Sequence, residues 1–500
     1  MTQERKLLAN NISSLILQIL TVISGFILPR LILAQYGSEL NGLTHSIAQF
    51  LSVIAFLELG VGTVVQSALY KPLAENDAER IDLIISSAHK FFRTLAIVFA
   101  CYVAGLIFLY PMFVKTEFSY WYVAALVALL ALHSFSQYYF AIVDRLLLLA
   151  DQRGYVFFIL QAVTTVVYTA VTAVLIVLGV NFLVVRIIAV VLFLVWPVFN
   201  KIYVKKRYHV NRRVKFTEEP IGQKWNGIAQ HVAAFVLDGT DVIVLTVISG
   251  VSCVSVYSVY NMIVTGIRQV LLATTSGLSA FWGRLFADNE TERLREDFSY
   301  REWKVHTAVL VLFGCTTILI VPFVQIYTKG ITDADYIQPW FAYILTAAQA
   351  FRCIRLPYNV LILSGNHYKQ TQRSYLIAAA LNIVISICLV FKFGLIGVAV
   401  GTAVAMLYQT VWMAVYDYRV FLKRPFGLFI KQFGVDIATA AVACLLCARL
   451  PLLAVNYGAW LVLAIETFFI WLAVVAVVNL LLYRGNVKKL FAGLCRKQPV

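Results

Sequence analysis

A stripe of polar side chains with an arginine at its centre runs through an otherwise apolar stretch, residues 249–294. Together with Leu272, its members are three or four residues apart, which is the period of one face of an α-helix. They are Ser258, Asn261, Thr265, Arg268, Thr275 and Ser279. A charged side chain inside an apolar span normally faces water, a ligand or an oppositely charged partner, because hydrocarbon solvates charge poorly. We therefore predict that Arg268 lines a polar cavity together with Asn261 and Thr265.

Other charged side chains lie inside further apolar stretches. The basic ones are Arg30, Arg352 and Arg355, with Gln349 beside the last two, and the acidic ones are Glu58, Asp238 and Asp241. With Arg268 included, the arginines outnumber the acids, which favours a site for an anion. A guanidinium matches the oxygens of a phosphate, and amide and hydroxyl side chains can bind sugar hydroxyls. The pattern predicts a substrate-binding cavity in which the three acids serve as ion-pair or ion-coupling residues.

A purely structural role for these charges stays open at this stage. A buried acid beside an arginine often fixes helix packing, because an unpaired charge is costly there. Arg268 would then pair with Asp238 or Asp241. Arg30 would instead extend to the outer membrane interface, and Pro29 before it could kink the helix that carries both.

The sequence contains no pattern typical of an enzyme active site. No phosphate-binding loop with lysine, zinc-binding His-Glu-x-x-His helix or nucleophilic triad occurs in a usable place. The glycines of residues 394–401 are spaced like a phosphate loop, but they lie in an apolar span, where close helix packing explains them better. Cys444 and Cys447 lie one helical turn apart in another apolar span, which also indicates packing. We predict no catalytic residue, no metal site and no cofactor.

The composition excludes a soluble globular protein. Of the 500 residues, 61% are hydrophobic and 13% are charged, and the mean hydropathy is +0.82. The net charge of +16 would suggest nucleic acid in a soluble chain. Here the basic residues concentrate in short loops on one side of the membrane, so no nucleic-acid partner is predicted. No cleavable signal peptide is expected, because residues 1–11 are polar and the first span lacks a cleavage motif.

About fourteen membrane-spanning segments are predicted, since about 20 apolar residues suffice to cross a bilayer. They cover residues 12–34, 43–70, 90–112, 120–143, 155–178, 182–203, 224–247, 253–280, 305–326, 339–362, 375–391, 395–416, 432–452 and 458–483. An even number of spans brings both termini to one side. The loops on that side are basic, which predicts cytoplasmic termini. Residues 486–497 are compatible with a basic amphipathic helix on the inner surface or with a disordered tail.

The chain contains an internal duplication. Residues 74–81 recur at 287–294, and the same offset of 213 pairs Gly37 with Gly250. Residues 149–152 match 364–367, and Gly179 matches Gly394, both at an offset of 215. Six spans per half give a parallel repeat related by an axis along the membrane normal. The predicted domains are an N-terminal lobe (1–203), a basic linker (204–223), a C-terminal lobe (224–420) and two appended spans with a basic tail (421–500).

Several short stretches resemble the Wzx-like polysaccharide flippases of the multidrug/oligosaccharidyl-lipid/polysaccharide exporter (MOP) superfamily. They are Tyr36–Leu43, Glu58–Gly62, Ala68–Ala74, Asp241–Leu245, Gln370–Arg373 and Gly394–Thr402. The resemblance covers about residues 10–420. It implies an all-α polytopic membrane protein, a V-shaped bundle of two six-helix lobes around a central cavity. The resemblance also extends to the lipid II flippases of this superfamily, whose cationic cavity implies substrate-binding roles for Arg30 and Arg268.

The function implied by the resemblance is transfer of undecaprenyl-diphosphate-linked oligosaccharide across the bacterial inner membrane, from the cytoplasmic to the outer leaflet. Membrane lipids surround such a protein, H⁺ or Na⁺ is a candidate coupling ion, and a polysaccharide polymerase is a candidate partner. Alternating access would move the head group without making or breaking a bond. A multidrug/cation antiporter of the same fold is the alternative, although its site should be acidic. A polytopic glycosyltransferase would need a large outer loop with catalytic acids, and residues 327–338 offer only Asp333 and Asp335.

Overall fold

The protein was analysed as a computed structural model that describes residues 3–52, 55–136, 139, 142–208, 210–211, 214, 228–275, 277–450 and 456–495. Within these ranges the chain is helical and contains no β-strand. The helices are α1 (Gln3–Leu51), α2 (Ala55–Glu75), α3 (Ala78–Phe113), α4 (Tyr120–Ser136), α5 (Ile142–Ala150), α6 (Gly154–Val177), α7 (Phe182–Phe193), α8 (Val195–Tyr208), α9 (Ile228–Val244), α10 (Val251–Thr274), α11 (Leu278–Ala287), α12 (Thr291–Tyr327), α13 (Pro339–Ile354), α14 (Leu356–Ser364), α15 (Tyr368–Phe393), α16 (Leu395–Val420), α17 (Gly427–Cys447), α18 (Tyr457–Leu482) and α19 (Arg484–Cys495).

The predicted fold class is confirmed, because the chain is an all-α, multi-pass membrane protein. Nine helical segments in the described ranges are long and apolar enough to cross a membrane. Other predicted spans are divided into shorter helices, as residues 253–280 are between α10 and α11. Polar side chains mark several helix starts, since they bind backbone N–H groups that have no partner within the helix. Asp77, Asn181 and Asn456 accept such bonds at the starts of α3, α7 and α18.

Turns with a left-handed backbone recur at equivalent places in the two halves of the chain. The pairs are Gly37 and Gly250 (φ 84° and 96°), Asn76 and Asn289 (54° and 57°), Gln152 and Asn366 (54° and 60°), and Gly179 and Gly394 (70° and 52°). Glycine and asparagine adopt this conformation most readily, which explains why these positions stand out in the sequence. The third pair is offset by 214 residues, so the predicted alignment of Gln152 with His367 is wrong by one residue.

A turn at Gly37 follows the first predicted span, residues 12–34. Helix α1 continues through Pro29 and has its non-helical backbone at Gly37, where the chain turns before the helix resumes. Gly42 then packs closely on the start of α10, since a Cβ atom there would lie 1.7 Å from the carbonyl oxygen of Val251. Asn41 donates to Ser255 Oγ at 2.8 Å beside this contact. The conspicuous motif of residues 36–43 thus serves a turn and a close helix contact.

The structure forms two compact units whose boundaries differ from the predicted domains. Unit 1 comprises Met1–Phe235 and Ser249–Ser255, and unit 2 comprises Val236–Ile248 and Val256–Val500. Residues 204–208 continue α8, and most of the remaining linker lies outside the described residues. The core of unit 1 is an apolar cluster contributed mainly by α1 to α8. In unit 2, α13 and α15 pack on α16.

The two appended helices belong to unit 2. Both α17 and α18 pack on α12, and the ring of Trp471 from α18 fills a notch at Gly314 of α12. A Cβ atom on Gly314 would lie 2.2 Å from this ring, so no larger residue fits while Trp471 keeps its place. Cys447 is buried beside Trp471, and it is a free thiol, which confirms the predicted packing role. Of residues 486–497, predicted as a helix or a disordered tail, residues 486–495 belong to helix α19, and residues 496–497 lie outside the described residues.

The glycines of residues 394–401 confirm the predicted close packing of α15 and α16. A Cβ atom on Gly401 would lie 2.2 Å from Ser386 Oγ and 2.9 Å from the Ser386 backbone nitrogen. We expect Gly401→Ala to lower the free energy of unfolding by about 1–3 kcal/mol, because a well-packed interface has no room for a methyl group. Equilibrium unfolding in mixed micelles measures this change. Gly434→Ala is the matched control, since open space surrounds Gly434 in α17. Equal stability of the two variants would contradict the prediction.

Candidate functional site

Unit 2 holds most of the predicted site residues, on three of its helices. Asp238 and Asp241 lie on α9, and Asn261, Thr265 and Arg268 lie on α10. Gln349 and Arg352 lie on α13, and Arg355 follows the last residue of that helix. Arg30 lies on α1 and Glu58 on α2, both in unit 1. The side chain of Glu58 lies outside the described residues.

An ion pair joins α9 to α13. The guanidinium of Arg352 binds the carboxylate of Asp238 through two contacts, and the Nη2–Oδ2 distance is 2.7 Å. This bidentate geometry is the strongest form of such a pair. The Asp238 side chain nevertheless keeps 42% of its surface exposed, and the Arg352 side chain keeps 19%. The positive charge of Arg352 is therefore compensated, while the pair remains accessible from one side.

Arg268 has no acidic partner among the described residues. Its shortest polar contact is from Nη1 to Gln349 Oε1, at 3.5 Å, and its Nε is buried without a hydrogen bond. Asp238 and Arg352 lie close enough to act on it electrostatically. The structural alternative was a pair with Asp238 or Asp241, but Asp238 binds Arg352 instead. Arg268 therefore contributes an uncompensated positive charge.

Arg355 contributes a second uncompensated charge. It caps the C-terminal end of α13, three residues beyond Arg352, and its Nη1 is buried without a hydrogen-bond partner. No carboxylate binds it in the described part of the chain. Within the described ranges Arg268 and Arg355 have no acidic partner, and Arg352 is neutralised by Asp238, so this part of unit 2 carries a surplus of positive charge.

Asp241 is buried and bound only by neutral groups. Tyr257 donates to its Oδ2 at 2.9 Å, and Thr402 Oγ1 lies 2.7 Å from both carboxylate oxygens. Asn382 in turn donates to Thr402 Oγ1 at 3.1 Å. Only 2% of Asp241 is exposed. This carboxylate belongs to a network of hydroxyl and amide groups from α10, α15 and α16, which suits a proton or a small cation better than an arginine.

The polar stripe of α10 is shorter than predicted. Thr265 Oγ1 donates to Asn261 Oδ1 at 3.4 Å, so these two residues and Arg268 form a continuous polar face. The helix then ends at Thr274, and Gly277 has a left-handed backbone (φ 79°). Ser279 therefore lies on α11, where its carbonyl and hydroxyl face Ser364. The prediction of a single stripe through Ser279 is wrong because the helix breaks first.

In addition to the predicted Arg30, unit 1 holds Arg186, an arginine that the sequence patterns did not single out. Arg30 is half-buried on α1. Arg186 lies on α7, with its guanidinium carbon 4.7 Å from the centroid of the Phe182 ring. The rule that singled out Arg268 applies equally to Arg186, which lies inside the predicted span 182–203. Among the described residues, no three His, Cys, Asp or Glu side chains lie close enough together to hold a metal ion.

Solved structures of membrane transporters share this arrangement of helices. One is the lipid II flippase MurJ in an inward closed conformation, 15% identical, with a TM-score of 0.66 over 96% of this chain and 99% of that chain. Another is an inward-facing multidrug resistance MATE family transporter of the MOP superfamily, 14% identical, with a TM-score of 0.61 over 81% of this chain and 97% of that one. This protein has the MOP transporter fold.

A third structure agrees, the Vibrio cholerae MATE transporter VcmN in the bent form, at 14% identity and a TM-score of 0.54, over 84% of this chain and 97% of that chain. No protein-family model matches the chain, and no curated protein matches it. Likeness at such low identity establishes the MOP transporter fold and leaves the substrate to be argued from the residues.

Proposed function

We propose that this protein flips a prenyl-diphosphate-linked oligosaccharide across the bacterial inner membrane. The observation that carries the proposal is the pair of uncompensated guanidinium groups near Asp238, those of Arg268 and Arg355, of which Arg268 shares the polar face of Asn261 and Thr265. A diphosphate offers the charge that these arginines lack, and the amide and hydroxyl groups suit sugar hydroxyls. Gln349 and Arg352 border the same surface. The MurJ-like fold supports this choice of substrate class.

The proposed mechanism is alternating access, with Arg30 as a further substrate ligand in unit 1. The head group would bind from the cytoplasmic side while the prenyl chain remains in the lipid. Movement between inward-open and outward-open states would then release the head group at the outer leaflet. No bond is formed or broken, so the protein acts as a transporter and needs no catalytic residue. A polysaccharide polymerase that uses the flipped product is a natural partner.

A multidrug/cation antiporter is the second candidate, and the MATE structures favour it. Such a protein needs an acid that is free to bind an organic cation. Asp238 is already neutralised by Arg352, and the arginine surplus around it would repel a cation. The side chain of Glu58 lies outside the described residues. These charges support the flippase over the antiporter.

Lipid analysis of a deletion strain tests the proposed function. Loss of the flippase should trap a prenyl-diphosphate oligosaccharide in the cytoplasmic leaflet, because its synthesis continues while its transfer stops. Liposomes that contain the purified protein provide the second arm, with a fluorescent prenyl-diphosphate oligosaccharide or an organic cation as the probe. Transfer of the cation alone, with no trapped lipid in the strain, would favour the antiporter.

We propose Asp241 as the residue that couples transport to a gradient of H⁺ or Na⁺, with Glu58 and Asp238 as further coupling or ion-pair residues. A buried carboxylate held by hydroxyl and amide groups can bind and release a small cation while the surrounding network stays in place. We expect Asp241→Asn to abolish stimulation of flipping by an imposed ion gradient and to leave slow equilibration intact. Flipping in liposomes with and without each gradient measures this effect. Asp288→Asn, an exposed substitution, is the control, and stimulation of the Asp241→Asn protein would contradict the proposal.

We also propose that both termini face the cytoplasm of a bacterial cell. The basic loops on that side follow the positive-inside rule, and α19 continues the basic character with Arg484, Lys488 and Lys489. Reporter fusions at Gln432 and at the C terminus should both report a cytoplasmic location. A periplasmic signal from the C-terminal fusion would contradict this orientation.

A further inference from the structure

Arg186 of unit 1 lies in a cluster of aromatic and imidazole side chains. Its guanidinium lies over the Phe182 ring, and Tyr36 packs edge-on against the same ring with a centroid distance of 5.1 Å. Tyr122 and His133 from α4 and His45 from α1 lie near enough for Arg186 to act on them electrostatically. These side chains come from three helices of the same unit, so the cluster is a feature of its tertiary packing.

The cluster contains no negative charge among the described residues. Arg186 forms no ion pair, and its Nε is buried without a hydrogen bond. The nearby acid of α1, Glu39, is already engaged, since it accepts from Thr116 Oγ1 at 2.7 Å and from the backbone nitrogen of Glu117 at 2.5 Å. The guanidinium therefore retains the capacity to bind an oxyanion.

The cluster is partly accessible, and its side chains suit a sugar chemically, while the Phe182 ring beneath the guanidinium is only 2% exposed. Arg186, His45, Tyr122 and His133 are each half-buried, so part of every side chain can be reached. Aromatic rings bind the apolar C–H face of a sugar ring, while the imidazole nitrogens and the tyrosine hydroxyl can bind its hydroxyl groups. An arginine next to such rings adds recognition of a carboxylate through its planar fork.

We infer that Arg186 and the surrounding rings of Tyr36, Tyr122, His45 and His133, supported by the buried Phe182 ring, form a binding site for an acidic sugar residue of the transported glycan. This inference rests on the proposed function and adds the substrate class, a glycan that carries a carboxylate. The neutral sugars of the same glycan would depend on the hydroxyl-binding groups alone.

The test uses the full-length protein in lipid nanodiscs and three short-chain prenyl-diphosphate disaccharides. They end in glucuronate, in the methyl ester of glucuronate and in glucose. Wild-type protein should bind the glucuronate probe at least about tenfold more tightly than the other two, because one charge-assisted hydrogen bond distinguishes them. Arg186→Gln should reduce this ratio to about one and leave the affinity for the glucose probe unchanged. Arg186→Lys should retain part of the preference.

Arg93→Gln serves as the matched control, because Arg93 is an exposed arginine of α3 in the same unit. It should keep the wild-type ratio. Equal binding of the three probes by wild-type protein would overturn the acidic-sugar site. A preference for glucuronate that survives in Arg186→Gln would overturn it too. Neither outcome would contradict the flippase proposal. The proposed function itself fails if none of the three binds more tightly than the corresponding disaccharide without the prenyl diphosphate. The comparison of glucuronate with its methyl ester uses wild-type protein alone, so the test does not depend on whether a variant folds.

Discussion

Glu302→Ala is expected to lower the free energy of unfolding by about 3–5 kcal/mol, because it leaves a largely buried arginine, Arg424, without its carboxylate partner. The Glu302 side chain is only 4% exposed, and its Oε2 accepts from Arg424 Nη2 at 2.5 Å. Its Oε1 accepts from the hydroxyls of Tyr358 at 2.5 Å and Tyr418 at 2.9 Å. Removal of this one carboxylate therefore breaks three contacts that join α12, α14, α16 and the segment before α17. Equilibrium unfolding in mixed micelles measures the loss.

Two comparisons isolate the buried charge in this prediction. Glu292 lies on the same helix and pairs with Arg295, but its side chain is 82% exposed, so Glu292→Ala should cost at most about 1 kcal/mol. Glu302→Gln keeps the shape and can still accept hydrogen bonds, and it should fall between the two. The prediction would be contradicted if Glu302→Ala lowered the free energy of unfolding no more than Glu292→Ala does.

Arg268→Ala is expected to reduce flipping by roughly tenfold to hundredfold at limiting substrate. Loss of a charged hydrogen bond is worth about 1.5–3 kcal/mol, which corresponds to that range of affinity. Arg268→Lys should also lose affinity, because an ammonium group lacks the planar fork that binds two phosphate oxygens. A purely structural arginine would tolerate lysine better. Initial rates of prenyl-diphosphate oligosaccharide transfer in liposomes measure both variants at equal protein content.

Arg293→Ala is the control for this experiment. Arg293 is 65% exposed and pairs with Glu290 one turn away, so its loss should leave transfer unchanged. If both Arg268 variants flipped the lipid at the native rate with substrate limiting, the cationic site of unit 2 would lose its central residue.

The sequence predicted those features that depend on residues close together in the chain. Hydropathy over about 20 residues located the spans, and the recurring stretches around Gly37, Asn76, Gly250 and Asn289 exposed the duplication because the turns there restrict the residue type. The packing role of Gly401 also followed from local context. The break after Thr274 was missed because a polar stripe continues across it, although the left-handed Gly277 is a local signal of a helix end.

Partners that are distant in the chain could not be predicted from spacing. Asp238 selects Arg352 rather than Arg268, although all three were recognised as charges within apolar spans. That choice depends on where α9, α10 and α13 meet. Glu302 and Arg424 drew no attention, because each lies near the basic loops, where charge is expected. Their burial is evident only once α12 and the chain after α16 pack together.

The notch at Gly314 has a practical consequence for spectroscopy. Because the Trp471 ring packs into the notch of α12, a spin label or fluorophore on an exposed side of α18 would report the movement of α12 and α18 together. Leu481 is 63% exposed on that helix and offers an attachment point far from Arg268 in sequence and from the network around Asp241. Paired with a label on an exposed residue of unit 1, it would make the proposed alternating-access cycle visible as a change in a single measured distance.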